Sequence, residues 1–317
     1  MLKKILASKW LRLIFSAILI YFAFKKVDIA KLFNDIKNVP WWFVVVNIIW
    51  TFLIVVLVSI RWNWLLFPKT KIESVLVFIR TNFLAYYYSL FFPTAIAGDV
   101  LKWMVINRKH KEIPKVKVLG SIVLDRFIGF SIFMFLALIS AILGKKMGLI
   151  IPDYIFYLLI VLSSICFVIY VVIYFFDVSK FLPKIGWLHK LDHAFELLKD
   201  KNKGQIVKCV LISVLSETIW IIQAWFVSWK LGVGLGLLSV FVFMPIIATI
   251  LILPISIGGF GAREQLFLFF FSQLGGSNES ILLMSTFLGI MGIFNSLFGG
   301  ILSFSDQEIR KNIKVKS

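Results

Sequence analysis

The sequence has few charged residues, few histidines and few cysteines for its length. Charged side chains make up 16% of the 317 residues, whereas about a quarter is usual in soluble domains, which argues against a soluble globular protein. The three histidines, His110, His189 and His193, all lie outside the long apolar runs. The two cysteines, Cys166 and Cys209, both lie within such runs, which fits neither a disulfide nor a metal site. We therefore expect no bound metal.

The sequence also lacks the glycine-rich loop that binds nucleotide phosphates. No Walker A pattern is present, and the glycine-rich run at 231–236 follows no strand that would begin a nucleotide-binding fold. No Ser/His/Asp set stands in a plausible site for nucleophilic catalysis. We expect no cofactor, and we expect any transport by this chain to be passive or coupled to an ion.

Apolar residues, by contrast, make up 60% of the chain. They form continuous runs without the alternation of a membrane β-strand, which predicts an all-α polytopic membrane protein. Six full transmembrane helices are predicted, at residues 10–24, 41–60, 118–143, 154–176, 206–229 and 281–304.

Two further apolar stretches, at 75–106 and 237–274, are each interrupted near the middle by Pro and Gly. The interruptions read PTAIAGD, from Pro93 to Asp99, and PISIGGF, from Pro254 to Phe260. We interpret both stretches as re-entrant helical hairpins, which gives eight membrane segments if each hairpin is counted once. The single domain, 1–317, would then contain inverted repeats at about 1–145 and 154–304. Such paired interruptions are typical of a transporter's substrate site.

Basic residues are distributed unevenly between the predicted loops. The formal net charge is +18, and we attribute it to the positive-inside rule rather than to nucleic-acid binding. In this topology the predicted cytoplasmic segments hold 21 Lys and Arg residues and the outer segments hold 7. We therefore expect a multi-pass protein of the cell membrane with both termini in the cytoplasm, where anionic lipids would contact its basic face.

Several ionisable residues fall inside the predicted membrane segments, where charges are costly and usually face a bundle interior or an aqueous cavity. One interpretation is a set of structural ion pairs, and the favoured one is a polar cavity that binds a charged headgroup. For Lys102, near a helix end, snorkelling to the interface is a further alternative. Gly258 and Gly259 permit a turn that aims the following helix N-terminus at an anion. The candidate substrate-binding residues are Asp99, Lys102, Asp125, Arg126, Glu217, Gly258, Gly259, Arg263 and Glu264.

Three motifs resemble those of the lysylphosphatidylglycerol-synthase transmembrane-region family of flippase-like proteins. They are LPISIGGFGAREQ from Leu253 to Gln265, AGDVLKWMVINR from Ala97 to Arg108, and LDRF from Leu124 to Phe127. The resemblance implies a lipid-translocating domain and places Asp99, Arg126, Arg263 and Glu264 in its cavity. Glu217 joins them mainly because of its depth in the membrane and its charge. Longer relatives carry a soluble aminoacyl-transferase domain, which we do not expect here because the chain ends soon after its last span.

The sequence thus predicts a flippase or transporter for a phospholipid or lipid-linked headgroup, and not an enzyme. Arg126 and Arg263 would bind its phosphate, while Asp99, Glu217 and Glu264 would pair with those arginines, bind a cationic group or carry protons. One alternative is an intramembrane lipid-modifying enzyme, although no histidine lies at membrane depth to assist it. Another is a membrane subunit that partners a lipid-modifying or glycosyl-transfer enzyme. The sequence indicates neither which lipid is moved nor the oligomeric state.

Overall fold

The computed structural model describes residues 37–67, 72–91, 96–175, 203–253, 256 and 259–304. Within these ranges all regular secondary structure is helical. The α-helices are α1 (Trp41–Leu66), α2 (Ile72–Phe91), α3 (Ile96–Lys109), α4 (Lys115–Lys146), α5 (Asp153–Phe175), α6 (Lys203–Lys230), α7 (Leu237–Leu251), α8 (Ala262–Phe271) and α9 (Asn278–Phe304). A 3-10 turn, Ser272–Leu274, follows α8.

Five of these helices, α1, α4, α5, α6 and α9, are long and apolar enough to cross a membrane. The shortest apolar range among them has 20 residues, which at 1.5 Å per residue extends over about 30 Å, the thickness of the hydrocarbon core. The predictions of membrane helices at 41–60, 118–143, 154–176, 206–229 and 281–304 are confirmed. The predicted first span, 10–24, lies outside the described residues.

Each interrupted apolar stretch forms two helices that pack against each other. Helices α2 and α3 occupy the first stretch, and α7 and α8 occupy the second. Residues 92–95, at the first interruption, lie outside the described residues, as do Pro254, Ile255, Ile257 and Gly258 at the second. The re-entrant path of each pair and the inverted repeat stay predictions.

Close backbone contact joins α2 to α9. A Cβ atom built at Gly299 would collide with the main-chain carbonyl of Phe83, and one at Gly300 would lie 2.9 Å from the ring of Tyr87. Small residues permit this approach between membrane helices, which gain contact through van der Waals packing rather than through a hydrophobic force. Glycine at 299 therefore sets the separation of these two helices.

Buried polar side chains also link neighbouring helices. Gln223 on α6 donates to the side-chain oxygen of Asn47 on α1 at 3.1 Å, and Asn82 on α2 donates to Ser59 on α1 at 2.8 Å. Because hydrocarbon offers no competing partner, such bonds favour one arrangement of the helices. They hold α1 between α2 and α6, and these three helices supply part of the wall of a charged cavity.

Candidate functional site

A cavity of about 680 Å³ lies among α1, α2, α3, α4, α6 and α7. The predicted site residues that line it are Asp99 and Lys102 from α3, Asp125 and Arg126 from α4, and Glu217 from α6. Because α6 is distant in sequence from α3 and α4, it is the packing of the bundle that brings these five predicted residues into one wall. A cavity of this size is within the usual range for small-molecule sites.

A sixth charged residue, Arg61, lines the same cavity from α1. Its Nε donates to Asp125 at 2.7 Å, and its Nη1 donates to Glu217 at 3.2 Å. The same Nη1 also donates to the hydroxyl of Ser213 at 3.2 Å. All three charged side chains are buried, with exposed fractions of 5%, 7% and 10% for Arg61, Asp125 and Glu217. Arg61 therefore holds two carboxylates from different helices.

The sequence-based topology was wrong about Arg61. It ended the predicted span at residue 60 and counted Arg61 among the residues of a cytoplasmic loop, but α1 continues to Leu66. The apolar sequence WNWLLF, which follows Arg61 directly, was the signal that this arginine lies within the helix. Its charge is tolerated there because Asp125 and Glu217 balance it.

Gly129 provides the space in which Arg61 and Glu217 meet. A Cβ atom built on this residue would lie 3.2 Å from both terminal guanidinium nitrogens and 3.2 Å from Glu217 Oε1. Those distances are closer than ordinary van der Waals contact, so a side chain at 129 would press on the ion pair. Gly129 stands one helical turn after Asp125 on α4. One face of that helix therefore carries both the carboxylate that binds Arg61 and the glycine that leaves room for the Arg61–Glu217 pair.

A second ion pair lies on a more open side of the cavity. Arg126 Nε donates to Asp99 Oδ2 at 2.5 Å, and the Arg126 side chain is 46% exposed. Asp99 stands in the first turn of α3, where the helix dipole stabilises a negative charge. Lys102, three residues later, places its ammonium group 5.1 Å from the ring centre of Trp62, within the range of a cation–π contact.

The cavity therefore contains three cations and three carboxylates. The cations are Arg61, Lys102 and Arg126, and the carboxylates are Asp99, Asp125 and Glu217. These charges cancel when every group is ionised, which lowers the cost of their burial. An entering ion can exchange with an internal partner, so the arrangement is suited to binding a charged group reversibly.

Arg263 lies outside this cavity, so the structure does not bring it together with Arg126. It lines a neighbouring cavity of about 300 Å³ with Thr51, Gln223 and Asn295, and Tyr86 and Ala248 line both cavities. The second cavity contains polar amides and a hydroxyl beside one guanidinium group. Sequence reasoning missed these uncharged residues, because nothing in their local sequence distinguishes them from other helix positions.

The Arg263 side chain is held by Glu264 and by the surface of α9. Its Nη2 donates to Glu264 Oε1 at 2.9 Å, and a Cβ atom built at Gly289 would collide with the guanidinium group. Its Nε is buried and makes no hydrogen bond with the residues that the structure describes. The guanidinium carbon also lies 5.2 Å from the ring centre of Phe260. The Nε of Arg263 is thus a donor without a partner among the described residues, while Glu264 and α9 hold the head group in place.

Glu264 takes part in the local structure of the α8 N-terminus. Its Oε2 accepts a hydrogen bond from the main-chain N–H of Gly261 at 2.6 Å, and Ser285 donates to its Oε1 at 3.4 Å. The sequence predicted that this helix end would leave its N–H groups for an anion, and the carboxylate of Glu264 already occupies one of them. Gly259 and Gly261 have φ angles of 81° and 80°, values that glycine adopts without strain. Gly258 lies outside the described residues.

Membrane-length helices around a cavity with buried charges define a polytopic α-helical membrane protein with an internal polar site. Within the described part of the chain, no group of three His, Cys, Asp or Glu residues is placed to hold a metal ion. A family model described as the lysylphosphatidylglycerol synthase TM region matches residues 9–299. The chain belongs to this family, which confirms the resemblance of its motifs. No curated protein and no solved structure matches it significantly.

Proposed function

We propose that the protein moves a lipid with a charged headgroup between the two leaflets of the cell membrane. The observation that carries the proposal is the cavity with six charged side chains inside a bundle of membrane-length helices. A charge at the centre of a bilayer costs about 3 kcal/mol or more. A cavity that replaces part of the headgroup's hydration lowers this barrier, while the acyl chains remain in the lipid.

The cation best placed to meet a lipid phosphate is Arg126. Its side chain is nearly half exposed, and its Nε donates to Asp99. Arginine suits phosphate because its planar group can donate two parallel hydrogen bonds. Lys102, which lines the same cavity from α3, would add a second positive charge as the phosphate displaces Asp99.

The second cavity extends this polar region along the helix axes. On α1, Thr51 lines the second cavity and Arg61 lines the first. The two positions are about 15 Å apart along the helix at 1.5 Å per residue. On α6 the corresponding residues are Gln223 and Glu217. Arg263 would therefore meet the headgroup at a different depth from Arg126, and Tyr86 stands between the two positions.

The proposal includes three further features. The chain would catalyse no chemical change in the lipid, would work without ATP, and would keep both termini in the cytoplasm. A lipid-modifying enzyme that produces or consumes the transported lipid is the partner that such a chain would serve. The transfer itself would need membrane lipids but no partner protein.

Reconstitution in liposomes tests the function. Vesicles of phosphatidylglycerol and phosphatidylcholine would carry a trace of fluorescent phosphatidylglycerol, and an impermeant reductant would bleach the outer leaflet. We expect the protein to make the inner-leaflet pool accessible without ATP, and Arg126→Ala to slow this transfer at least tenfold. Arg108→Ala, at the exposed end of α3, is the matched control and should transfer normally. Transfer no faster than in protein-free vesicles would contradict the proposal.

A further inference from the structure

Arg61 is one guanidinium group shared by two buried carboxylates, and this ratio carries a further inference. We propose that Glu217 binds a proton whenever an anionic lipid headgroup occupies the cavity, so that one proton and one anionic lipid move together. The inference rests on the proposed function and names its substrate class, a lipid with one net negative charge, and its energy source, a proton gradient.

The charge count of the cavity supplies the reason. The empty cavity is neutral with its three cations and three carboxylates ionised. A headgroup with one negative charge brings the total to −1 in a region where uncompensated charge is costly. Protonation of one carboxylate restores neutrality: the added proton forms an O–H bond on a carboxylate oxygen, and water in the cavity delivers it. A zwitterionic headgroup adds no net charge and requires no proton.

Glu217 is the carboxylate best placed to accept that proton. Asp125 lies 2.7 Å from Arg61 Nε, whereas Glu217 lies 3.2 Å from Nη1, so the Arg61 contact of Glu217 is the longer of the two. Asp99 is bound to Arg126 at 2.5 Å. Glu217 is nine-tenths buried and still lines the cavity, so it combines a costly charge with a route to water.

The surroundings of Glu217 contain both signs of charge. The groups that face the cavity include Arg61 from α1, Tyr86 and Asn82 from α2, Asp99 and Lys102 from α3, Asp125 and Arg126 from α4, Ala248 and Thr249 from α7, and Ile252 directly after α7. A phosphate that binds Arg126 and Lys102 neutralises these two cations, neither of which contacts Glu217. Arg61 then remains as the one cation that faces both Asp125 and Glu217. Since one guanidinium group neutralises only one carboxylate, the proton neutralises the other.

The coupling test uses fluorescent phosphatidylglycerol in proteoliposomes with a pH difference of about one unit. Because the proton and the anion move together, lipid should collect in the leaflet on the alkaline side, up to about tenfold at equilibrium for one proton per lipid. The pair carries no net charge, so a potassium diffusion potential should have no effect on the distribution. Fluorescent phosphatidylcholine should show no response to the pH difference.

Glu217→Gln imitates the protonated side chain and should uncouple the two movements. In this variant, phosphatidylglycerol transfer should lose its response to the pH difference and should respond to the membrane potential, because the lipid now crosses alone. Glu217→Asp keeps a titratable group and should keep the pH response. Glu112→Gln, a matched change at a carboxylate outside the cavity, should behave as the unmodified protein.

Infrared difference spectroscopy separates failure of this inference from failure of the proposed function. Protein in phosphatidylglycerol should show the C=O band of a protonated carboxyl group, absent in Glu217→Gln and shifted in Glu217→Asp. Transfer without a pH response would overturn the coupling and leave the transport function intact. The band without transfer would contradict the function and support the proton site, and absence of the band in the unmodified protein would overturn the site.

Discussion

Gly289 on α9 lies directly against the guanidinium group of Arg263 on α8. No side chain fits between them, since a Cβ atom at position 289 would occupy the same space as the guanidinium carbon and nitrogens. The contact fixes the arginine head group from one side while Glu264 fixes it from another. Two helices and the turn before α8 therefore determine where this charge points in the second cavity.

Gly289→Ala should displace Arg263 and slow lipid transfer to a similar extent as Arg263→Ala. Overpacking of this kind costs about 1–3 kcal/mol of stability, so a folded variant is expected. The double variant Gly289→Ala, Arg263→Ala should be no slower than either single variant, since both act on one group. Gly204→Ala, where a Cβ atom meets no neighbour within 4 Å, is the control. Additive losses in the double variant would show that the two residues act separately.

Arg263→Ala should leave a folded protein with much reduced transfer, measured per correctly folded molecule. Arg263→Lys should restore little if the phosphate contact is a two-pronged hydrogen bond, because lysine offers a point charge. Glu264→Gln removes the charge but keeps the shape of the side chain.

If the Arg263–Glu264 pair is purely structural, Arg263→Ala should lower the free energy of unfolding by about 1–3 kcal/mol. Glu264→Gln in the same chain should then recover part of that loss. Full transfer activity in well-folded Arg263→Ala would contradict a role in headgroup binding.

Arg61→Met should destabilise the protein by about 3–5 kcal/mol, because it leaves Asp125 and Glu217 buried without their shared partner. Adding Asp125→Asn and Glu217→Gln removes both charges and should recover most of the stability. Thermal unfolding in detergent measures the difference, and Arg108→Ala should change it by less than about 0.5 kcal/mol. Equal unfolding temperatures for Arg61→Met and the unmodified protein would contradict the structural importance of this cluster.

Cysteine labelling tests the sidedness of the loops. In a background with Cys166→Ala and Cys209→Ala, an impermeant reagent added outside cells should label Met147→Cys and Gln273→Cys. It should not label Lys111→Cys until the membrane is permeabilised. The expectation follows from the excess of basic residues in the predicted cytoplasmic loops. Labelling at position 111 before permeabilisation would place this loop outside the cell and contradict the predicted topology.

Long helices were predictable because each depends on a local property, the length of an uninterrupted apolar run. The predicted spans at 41–60 and 281–304 lie within α1 and α9 for that reason. The depth of Glu217 and Asp125 in apolar runs also identified them as candidates without any knowledge of their partners. Ionisable residues at membrane depth are rare enough for sequence position alone to select them.

The grouping of site residues was not predictable to the same degree. Arg61 was assigned to a loop because its charge balance comes from residues 64 and 156 positions away in sequence. Arg126 and Arg263 were expected to share one phosphate, and the helix packing places them in adjoining cavities. Distances between side chains on different helices depend on how the helices rotate and cross, which periodicity does not specify.

The close contact at Gly299 restricts how the cavities can open. Because the backbone carbonyl of Phe83 lies where a methyl group would stand, α2 and α9 have no layer of side chains between them at this point that could slide or rotate. Sliding one helix past the other would drive flanking side chains into that gap. Rigid-body opening would therefore carry α2 and α9 together as one unit.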